Sequence, residues 1–408
     1  MKIRVIPFLA AALALACFAS AAVSAPAQTK VWITIGDAAF KQAKKVRPNL
    51  VSIENRHIRT AGLVEKIHAV ALNEAELPSI AAAIHGNLRH CGGYIYHATE
   101  AQARAALRRP RVEAPPRAYA INNRELVESL LAQMQEKNIE ATILALSGFT
   151  NRYYTSQSGV DASNWLFQHW ASLTSGRADI SVKQFAHARY PQQSVILTIA
   201  GSDSTAESII VGAHLDSIAS FGMSAKTVAP GADDDASGVA SMTEALRAMV
   251  EQGYKPRRTI HMIAYAAEEV GLRGSQDIAR AFKQADSKVA GVLQLDMTNY
   301  KGTATDIYLF TDYTNSQQNE FLAQLIRAYL PNATIGYDKC GYGCSDHASW
   351  DAQGYRTSMP FESSFARDNP YIHSAKDTYA NSGSQAAHAL KFARLAAAFM
   401  VELGSDAP

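Results

Sequence analysis

Three short stretches of the chain gather side chains that could hold a metal ion. His214-Leu215-Asp216 ends the apolar run Ile209 to Ala213. Asp233-Asp234-Asp235 lies between Gly231 and Gly238. Glu268-Glu269 ends the apolar run that begins at Ile260. Three adjacent carboxylates repel one another, so a folded chain tolerates them only if they are exposed, hydrogen-bonded or holding cations. His, Asp and Glu delivered to one place form the nitrogen and oxygen donor set of a catalytic metal site, which keeps positions open for substrate. His214 can ligate while a carboxylate two residues on orients its ring. Asp234, the middle of its triplet, is the natural bridge between two metals, although Asp233 and Asp235 would serve on sequence alone. Neighbouring side chains at a strand end point different ways, so one of Glu268 and Glu269 can ligate while the other faces substrate. Asp296 follows the apolar run Val292 to Leu295, and His373 sits in the late loop Asn369-Pro370-Tyr371-Ile372-His373. Each residue alone reads as a helix cap, a surface charge or a satisfied loop histidine. Jointly they do not.

The elements that must position them alternate. Continuous apolar strands are expected at Ser194–Ile199, Ile209–Ala213, Ile260–Ala266, Val292–Leu295, Ile307–Phe310 and Thr357–Phe361. Helices are expected at Ala236–Val250, Gly271–Phe282, Gln317–Leu330 and His388–Leu403. This pattern predicts an α/β fold with a mainly parallel central sheet flanked by helices on both faces. Ligands of such sheets bind outside the carboxyl ends of the strands. His214, Glu268, Glu269 and Asp296 fall at those ends.

Upstream, roughly Lys30 to Thr99 reads as a small α+β domain. It has a strand at Val31–Ile35, helices at Leu63–Leu72 and Leu77–Ile84, and a closing strand through Gly92–Tyr96. Pro78 falls in the first turn of the second helix, where proline is tolerated. No catalytic constellation is present, and His85, His90 and Cys91 read as ordinary surface or core residues. Glu100 to Arg117, with Arg108-Arg109-Pro110-Arg111 and Pro115-Pro116, reads as an exposed basic linker open to proteolysis. Lys2 and Arg4, the apolar run Val5 to Phe18 and the small residues after it read as a signal peptide. The run is too short to span a membrane. The expected division is a signal peptide over 1–25, a removable pro-region over 26–117 and a catalytic domain over 118–408, in a secreted, extracellular protein.

The chain is 48% hydrophobic and 19% charged, as globular proteins are. Its net charge of +2 hides an asymmetry: residues 1–115 carry 15 Lys and Arg against 7 Asp and Glu, and the rest is acidic. An acidic catalytic part argues against a nucleic-acid partner, and the opposite charges predict that the pro-region docks on it. Cys340 and Cys344 are the two cysteines of the acidic part, and in a secreted chain such a pair reads as a disulfide.

Several stretches resemble the secreted bacterial leucyl aminopeptidases, co-catalytic two-zinc exopeptidases. They are His214-Leu215-Asp216-Ser217, Pro230 to Gly238, Ala264 to Ser275, Gln294 to Tyr300, Cys340-Gly341-Tyr342-Gly343-Cys344-Ser345-Asp346-His347 and Pro370 to His373. The resemblance covers nearly all of residues 118–405 and takes in every ligand motif in order. It implies two zinc ions bridged by Asp234, with His214 and Asp296 completing one and Glu269 and His373 the other. Glu268 is then the general base, Asp216 orients His214, and Tyr342 supports the developing oxyanion. The implied substrates are peptides with a free N-terminus. Met297, Phe310, Tyr342, Met359, Phe361, Phe365 and Ile372 are implied to line the pocket for the N-terminal side chain, with the Cys340–Cys344 loop as one wall. His347 is assigned a structural role. A monomer is expected, with the pro-region as its own partner and neither nucleic acid nor membrane.

Carboxypeptidases and glutaminyl cyclases share this fold, so fold alone leaves the reaction open. A catalytically dead binding module would lack a ligand or the base, and none is missing. A serine hydrolase would need a Gly-x-Ser-x-Gly elbow, which the sequence does not contain.

Overall fold

The computed structural model describes residues 29–60, 63–88, 93–108, 115–220 and 222–405. The expected signal peptide, His90, Cys91 and residues 109–114 of the basic stretch lie outside the described residues.

The N-terminal domain runs β1 (Lys30–Gly36), α1 (Asp37–Val46), β2 (Ser52–Thr60), β3 (Leu63–Asn73), α2 (Leu77–Leu88), β4 (Tyr94–His97) and α3 (Glu100–Arg108). Its strands form an antiparallel sheet in the order β2-β3-β1-β4. Two expectations fail here for one reason. Leu63–Leu72 is a strand, not a helix, and Glu100–Arg108 is a helix, not an exposed linker. The two meet: Ala103 and Leu107 of α3 cover Ile67 and Ala69 of β3. On the other face Val70 and Leu72 join Val31, Ile33, Leu77, Ile80 and Ile84. A strand covered on both faces loses its polar alternation and reads like a buried helix.

The second domain continues with α4 (Arg124–Leu131), α5 (Glu136–Ser147), α6 (Gln157–Leu173), β5 (Ile180–Phe185), β6 (Ser194–Ile199), β7 (Ser208–His214), α7 (Ala236–Glu251), β8 (Ile260–Tyr265), α8 (Arg273–Gln284) and β9 (Val289–Gln294). It ends with β10 (Ile307–Phe310), α9 (Ser316–Tyr329), β11 (Ile335–Asp338), α10 (His347–Asp351), β12 (Thr357–Ser358), β13 (Pro360–Phe361) and α11 (Ala387–Ser405). The central sheet has the order β12-β9-β7-β8-β6-β5. The first four strands run parallel; β6 and β5 join antiparallel at the edge. The expected strand Thr357–Phe361 is two strands in two sheets. Thr357–Ser358 pairs with β9, Met359 turns the corner, and Pro360–Phe361 pairs with β10.

Every residue of β7 is buried. Ile209, Val211 and Ala213 face one core with α7 and α11, while Ile210 faces another with Ile263, Tyr265 and Trp350. Helices therefore cover both faces, which explains the uninterrupted apolar runs. Gly212 sits mid-strand because a Cβ there would lie 2.4 Å from the Tyr265 ring. Val239, Met242, Leu246 and Met249 hold α7 to the sheet, each contributing about 1.5–3 kcal/mol by burial.

Candidate active site and metal centre

The end of β7 delivers His214. Its Nδ1 faces the carbonyl oxygen of Asp216 at 3.1 Å, and the Asp216 carboxylate is 3.6 Å away. A ring nitrogen donating to a carbonyl leaves Nε2 to point the other way, as metal-ligating histidines require. The Asp216 carboxylate has a further task. It accepts the backbone N–H groups of Glu268 at 2.9 Å and Glu269 at 3.2 Å. Asp216 thus orients the ring chiefly through its main chain and fixes the two glutamates through its side chain.

The aspartate triplet divides its labour. Asp235 caps α7: Oδ1 accepts from Gly238 N at 2.8 Å and Met297 N at 3.1 Å, and Oδ2 from His214 N at 3.0 Å. Gly238 is required there, since a Cβ would lie 2.4 Å from Asp235 Oδ1. Asp233 accepts from Asn299 N at 3.1 Å and Asn369 Nδ2 at 3.0 Å. Asp234 faces the other way. Its Oδ1 lies 2.8 Å from His214 Nε2 and its Oδ2 2.8 Å from His373 Nε2. Asp296 Oδ1 stands 3.5 Å from the same His214 nitrogen, and Glu269 Oε2 stands 2.9 Å from the His373 nitrogen. The result is two groups of one imidazole and one carboxylate, joined by a carboxylate that gives one oxygen to each.

Several of these atoms have no hydrogen-bond partner although they are buried: Glu268 Oε2, both Glu269 carboxylate oxygens, Asp296 Oδ1 and His373 Nε2. The contacts of His373 with Asp234 and Glu269 are close but lack the alignment of a hydrogen bond. Buried polar atoms left unpaired call for a strained, catalytic, water-bridged or ion-binding role, and here they gather around two imidazoles. The charges say the same. Burial works against a charged His214 ring, yet Asp296, Asp216 and Asp234 outweigh it and hold its pKa well above the usual value. His373 is likewise opposed by burial but pushed up to about 10 by Glu269 and Asp234. Burial, with help from Asp234, lifts Glu269 to about 7. Burial also raises Glu268 well above the carboxylate range, with His214 opposing and Asp346 and Glu269 adding to it. An acidic centre that draws protons onto two imidazoles has the donor set and the charge that divalent cations fit.

Supports that sequence reasoning missed surround the cluster. Arg152 is fully buried and donates to the carbonyls of Leu215 at 2.7 Å and Gly231 at 2.8 Å, and to that of Pro230. It thereby ties the His214 segment to the aspartate segment. Asp377 accepts the backbone N–H groups of Asp233 and Asp234 at 3.1 Å each. A lone arginine or aspartate far along the chain carries no local pattern that marks such a role.

Met297, Phe310, Met359 and Phe361 form one buried cluster with Cys344, and Tyr342, Phe365 and Ile372 pack against it. All seven side chains expected at the pocket thus lie together. Cys340 and Cys344 are bridged, with Cα atoms 6.2 Å apart. Asp312 holds the start of that loop, accepting from Cys340 N at 3.2 Å and Gly341 N at 2.7 Å. Tyr342 packs on Phe365, ring centroids 6.2 Å apart, and lines a cavity shared with the N-terminal domain. His347 is fully buried, and burial lowers it to about 3, which suits the structural role assigned to it. His85, expected as an ordinary surface or core residue, is buried, and its Nδ1 touches Nδ1 of His373 at the candidate metal-binding cluster.

Comparison with known proteins decides the family. The model of peptidase family M28 matches residues 194–400. The chain belongs to that family. Leucine aminopeptidase 1 of Arthroderma otae is 37% identical over 315 residues, which are 73% of this chain and 81% of the relative. A probable aminopeptidase of Saccharomyces cerevisiae, YDR415C, is 33% identical over 306 residues, 72% of this chain and 79% of that one. Among solved structures, the LapA aminopeptidase of Legionella pneumophila superposes with a TM-score of 0.78 at 29% identity, covering 93% of this chain and 99% of the other. That share is too large for the second domain alone, so the likeness takes in the N-terminal domain. The protein is an M28 aminopeptidase, a hydrolase of peptide bonds.

Proposed function

We propose that this M28 aminopeptidase is exported, binds two zinc ions and releases N-terminal residues with apolar side chains, leucine foremost. The observation that supports two ions is Asp234, whose two oxygens each face a different imidazole and carboxylate. His214, Asp234 and Asp296 would hold one ion, and Asp234, Glu269 and His373 the other. Zinc bound there supplies Lewis-acid polarisation of the scissile carbonyl and makes water a stronger acid. The chain's own residues do the rest. Glu268 stands beside the ligand Glu269 with Oε2 unpaired. It takes the proton of the attacking water at that oxygen and passes it to the leaving amine. Its backbone is pinned by Asp216, so the base is held still. The apolar cluster around Met297, Phe310 and Phe361 receives the N-terminal side chain and excludes water from it. Burying one such side chain favours leucine over a small residue by about 1.5–3 kcal/mol, or about ten- to a hundredfold.

The test is hydrolysis of amino-acyl anilides and of N-acetylated peptides by purified protein, with and without chelator, alongside elemental analysis. About two zinc per chain and a leucine preference that the chelator abolishes are expected. Hydrolysis of acetylated peptides from the carboxyl end would turn the reading to a carboxypeptidase. Preference for an N-terminal Asp, Glu or Gly would refute the apolar pocket.

A further inference from the structure

The turn that carries Glu268 is gripped on both sides of a residue in an unfavourable conformation. Ala267 has φ 57°, in the left-handed region that alanine seldom adopts and that persists only where neighbours over-determine it. Downstream, Asp216 accepts from Glu268 N and Glu269 N. Upstream, Ala266 N donates to Ser194 Oγ at 2.9 Å. The Ala266 carbonyl is held as well, accepting from Gly274 N at 3.1 Å. Ser194 reaches this N–H because β6 runs antiparallel to β8. Val195 pairs with Ala264, so the first residue of β6 falls beside the last of β8.

Ser194 is itself held. His187 Nε2 lies 2.9 Å from its Oγ, and His187 Nδ1 lies 2.9 Å from Asp277 Oδ2. Acid, imidazole and hydroxyl thus stand in the order of a hydrolytic triad. Their surroundings give them another task. Ser194 has no exposed surface, and its oxygen already accepts the Ala266 N–H. Burial opposes an ionised Asp277, but His187 and Arg280 outweigh it and hold its pKa below the usual value. An ionised Asp277 accepts the Nδ1 proton, which leaves Nε2 bare to accept the Ser194 hydroxyl. The donors then run one way, from Ala266 N–H through Ser194 and His187 to Asp277. Tyr190 stacks on the His187 ring, centroids 4.8 Å apart, and packs with Ala266 and Ala267 in one buried cluster.

We propose that Ser194 is a positioning residue for the reaction, held by His187 and Asp277, and that it fixes the turn from which Glu268 aims its carboxylate. This rests on the reading of Glu268 as the base and names what holds that base in place. The three side chains act through the backbone and not on the substrate. A small displacement of a reacting group costs turnover far more than binding. The loss should therefore appear in kcat and spare KM.

The experiment compares Ser194→Ala, His187→Phe and the double variant in the full-length, zinc-loaded chain on leucine anilide. Ser194→Ala is expected to lower kcat about tenfold, with KM within about twofold of the parent and zinc content unchanged. His187→Phe keeps a ring against Tyr190 but frees the hydroxyl, and a loss of about threefold in kcat is expected. Both act through one chain of bonds, so the double variant should be no slower than Ser194→Ala. Amide hydrogen exchange of the metal-free chain gives a reading independent of activity. Residues 264–272 should exchange faster in both variants while α5 keeps its protection. Unchanged exchange over 264–272, losses that multiply in the double variant, or exchange quickened equally in α5 would each overturn the relay. Glu268→Gln separates the two possible failures. If it is slow while Ser194→Ala is not, the relay alone falls. If it keeps its kcat, the base reading falls and the proposal with it.

Discussion

Two sets of buried carboxylates lie within a few residues of each other and do opposite work. Asp235, Asp233, Asp216 and Asp377 are saturated by backbone and amide N–H groups. Glu269, Glu268 Oε2 and Asp296 Oδ1 accept nothing, and Asp234 meets only imidazoles among the contacts described above. The first set holds the architecture; the second is the set proposed above as ligands and base. Burial does not separate them, since all are nearly inaccessible. Hydrogen-bond saturation does, because a carboxylate already accepting two or three N–H groups has little left to offer an ion.

The largest test of this comparison lies inside the unsaturated set. Glu268→Gln would remove the proposed base and leave the proposed ligands. A drop in kcat of about 10²–10⁴-fold with zinc content intact is expected. Elemental analysis showing loss of metal would move Glu268 among the ligands and erase the distinction between it and Glu269.

Next comes a crossing of neighbours. Asp235→Ala should destabilise the metal-free chain by about 3 kcal/mol or more, since three buried N–H groups lose their acceptor. Asp234→Ala should cost the metal-free chain less while abolishing zinc binding. It gives up ion pairs with His214 and His373, which despite burial hold the Asp234 carboxyl well below its usual pKa, and not a cap on three backbone N–H groups. Thermal melts and metal analysis of both variants check this. Equal destabilisation by the two substitutions would mean the triplet has no division of labour.

That division was not legible in the sequence. The run of three aspartates announced the site, and His214, Glu268, Glu269, Asp296 and His373 could each be placed from strand ends and from resemblance. Which aspartate faces the cluster depends on a turn held by Asp377 and Asn369, more than 130 residues away. The same holds for the N-terminal domain. Its strand β3 reads as a helix from local pattern because α3 covers the face that would otherwise be polar, and α3 itself lies in a stretch rich in alanine and arginine. His85 carried no signal because its partner is 288 residues downstream. Long-range contacts, not local pattern, decided each of these.

Acidity offers a smaller effect. Asp346 and Asp377 are both fully buried, and burial, with neighbouring acids adding to it, lifts each to about 8. A carboxyl whose folded pKa is raised favours the folded state at low pH. That advantage fades as pH climbs from the ordinary carboxylate value toward 8, because only the unfolded chain ionises freely. The metal-free protein should therefore melt at a lower temperature at pH 8 than at pH 5. Added zinc should reverse much of the loss by charge neutralisation. A melting temperature that rises over this interval without metal would contradict the buried, charge-crowded centre.

The smallest effect concerns the wall of the pocket. The Cys340–Cys344 ring is short, so its chain-entropy contribution is only about 2 kcal/mol. Asp312 already fixes the loop through Cys340 N and Gly341 N, which limits how far it can move when the bridge opens. The proposed base and ligands sit at or just after the ends of β7, β8 and β9, just before α7, and at His373, all outside this loop. Reduction, or Cys340→Ser with Cys344→Ser, should therefore leave kcat and zinc content unchanged. KM for leucine anilide should rise about two- to fivefold, equivalent to about 0.4–1 kcal/mol of lost pocket contact. A substrate with N-terminal alanine, which reaches less of the wall, should show a smaller change. If both substrates lost equally, the loop would be serving the reaction centre and not the side-chain pocket.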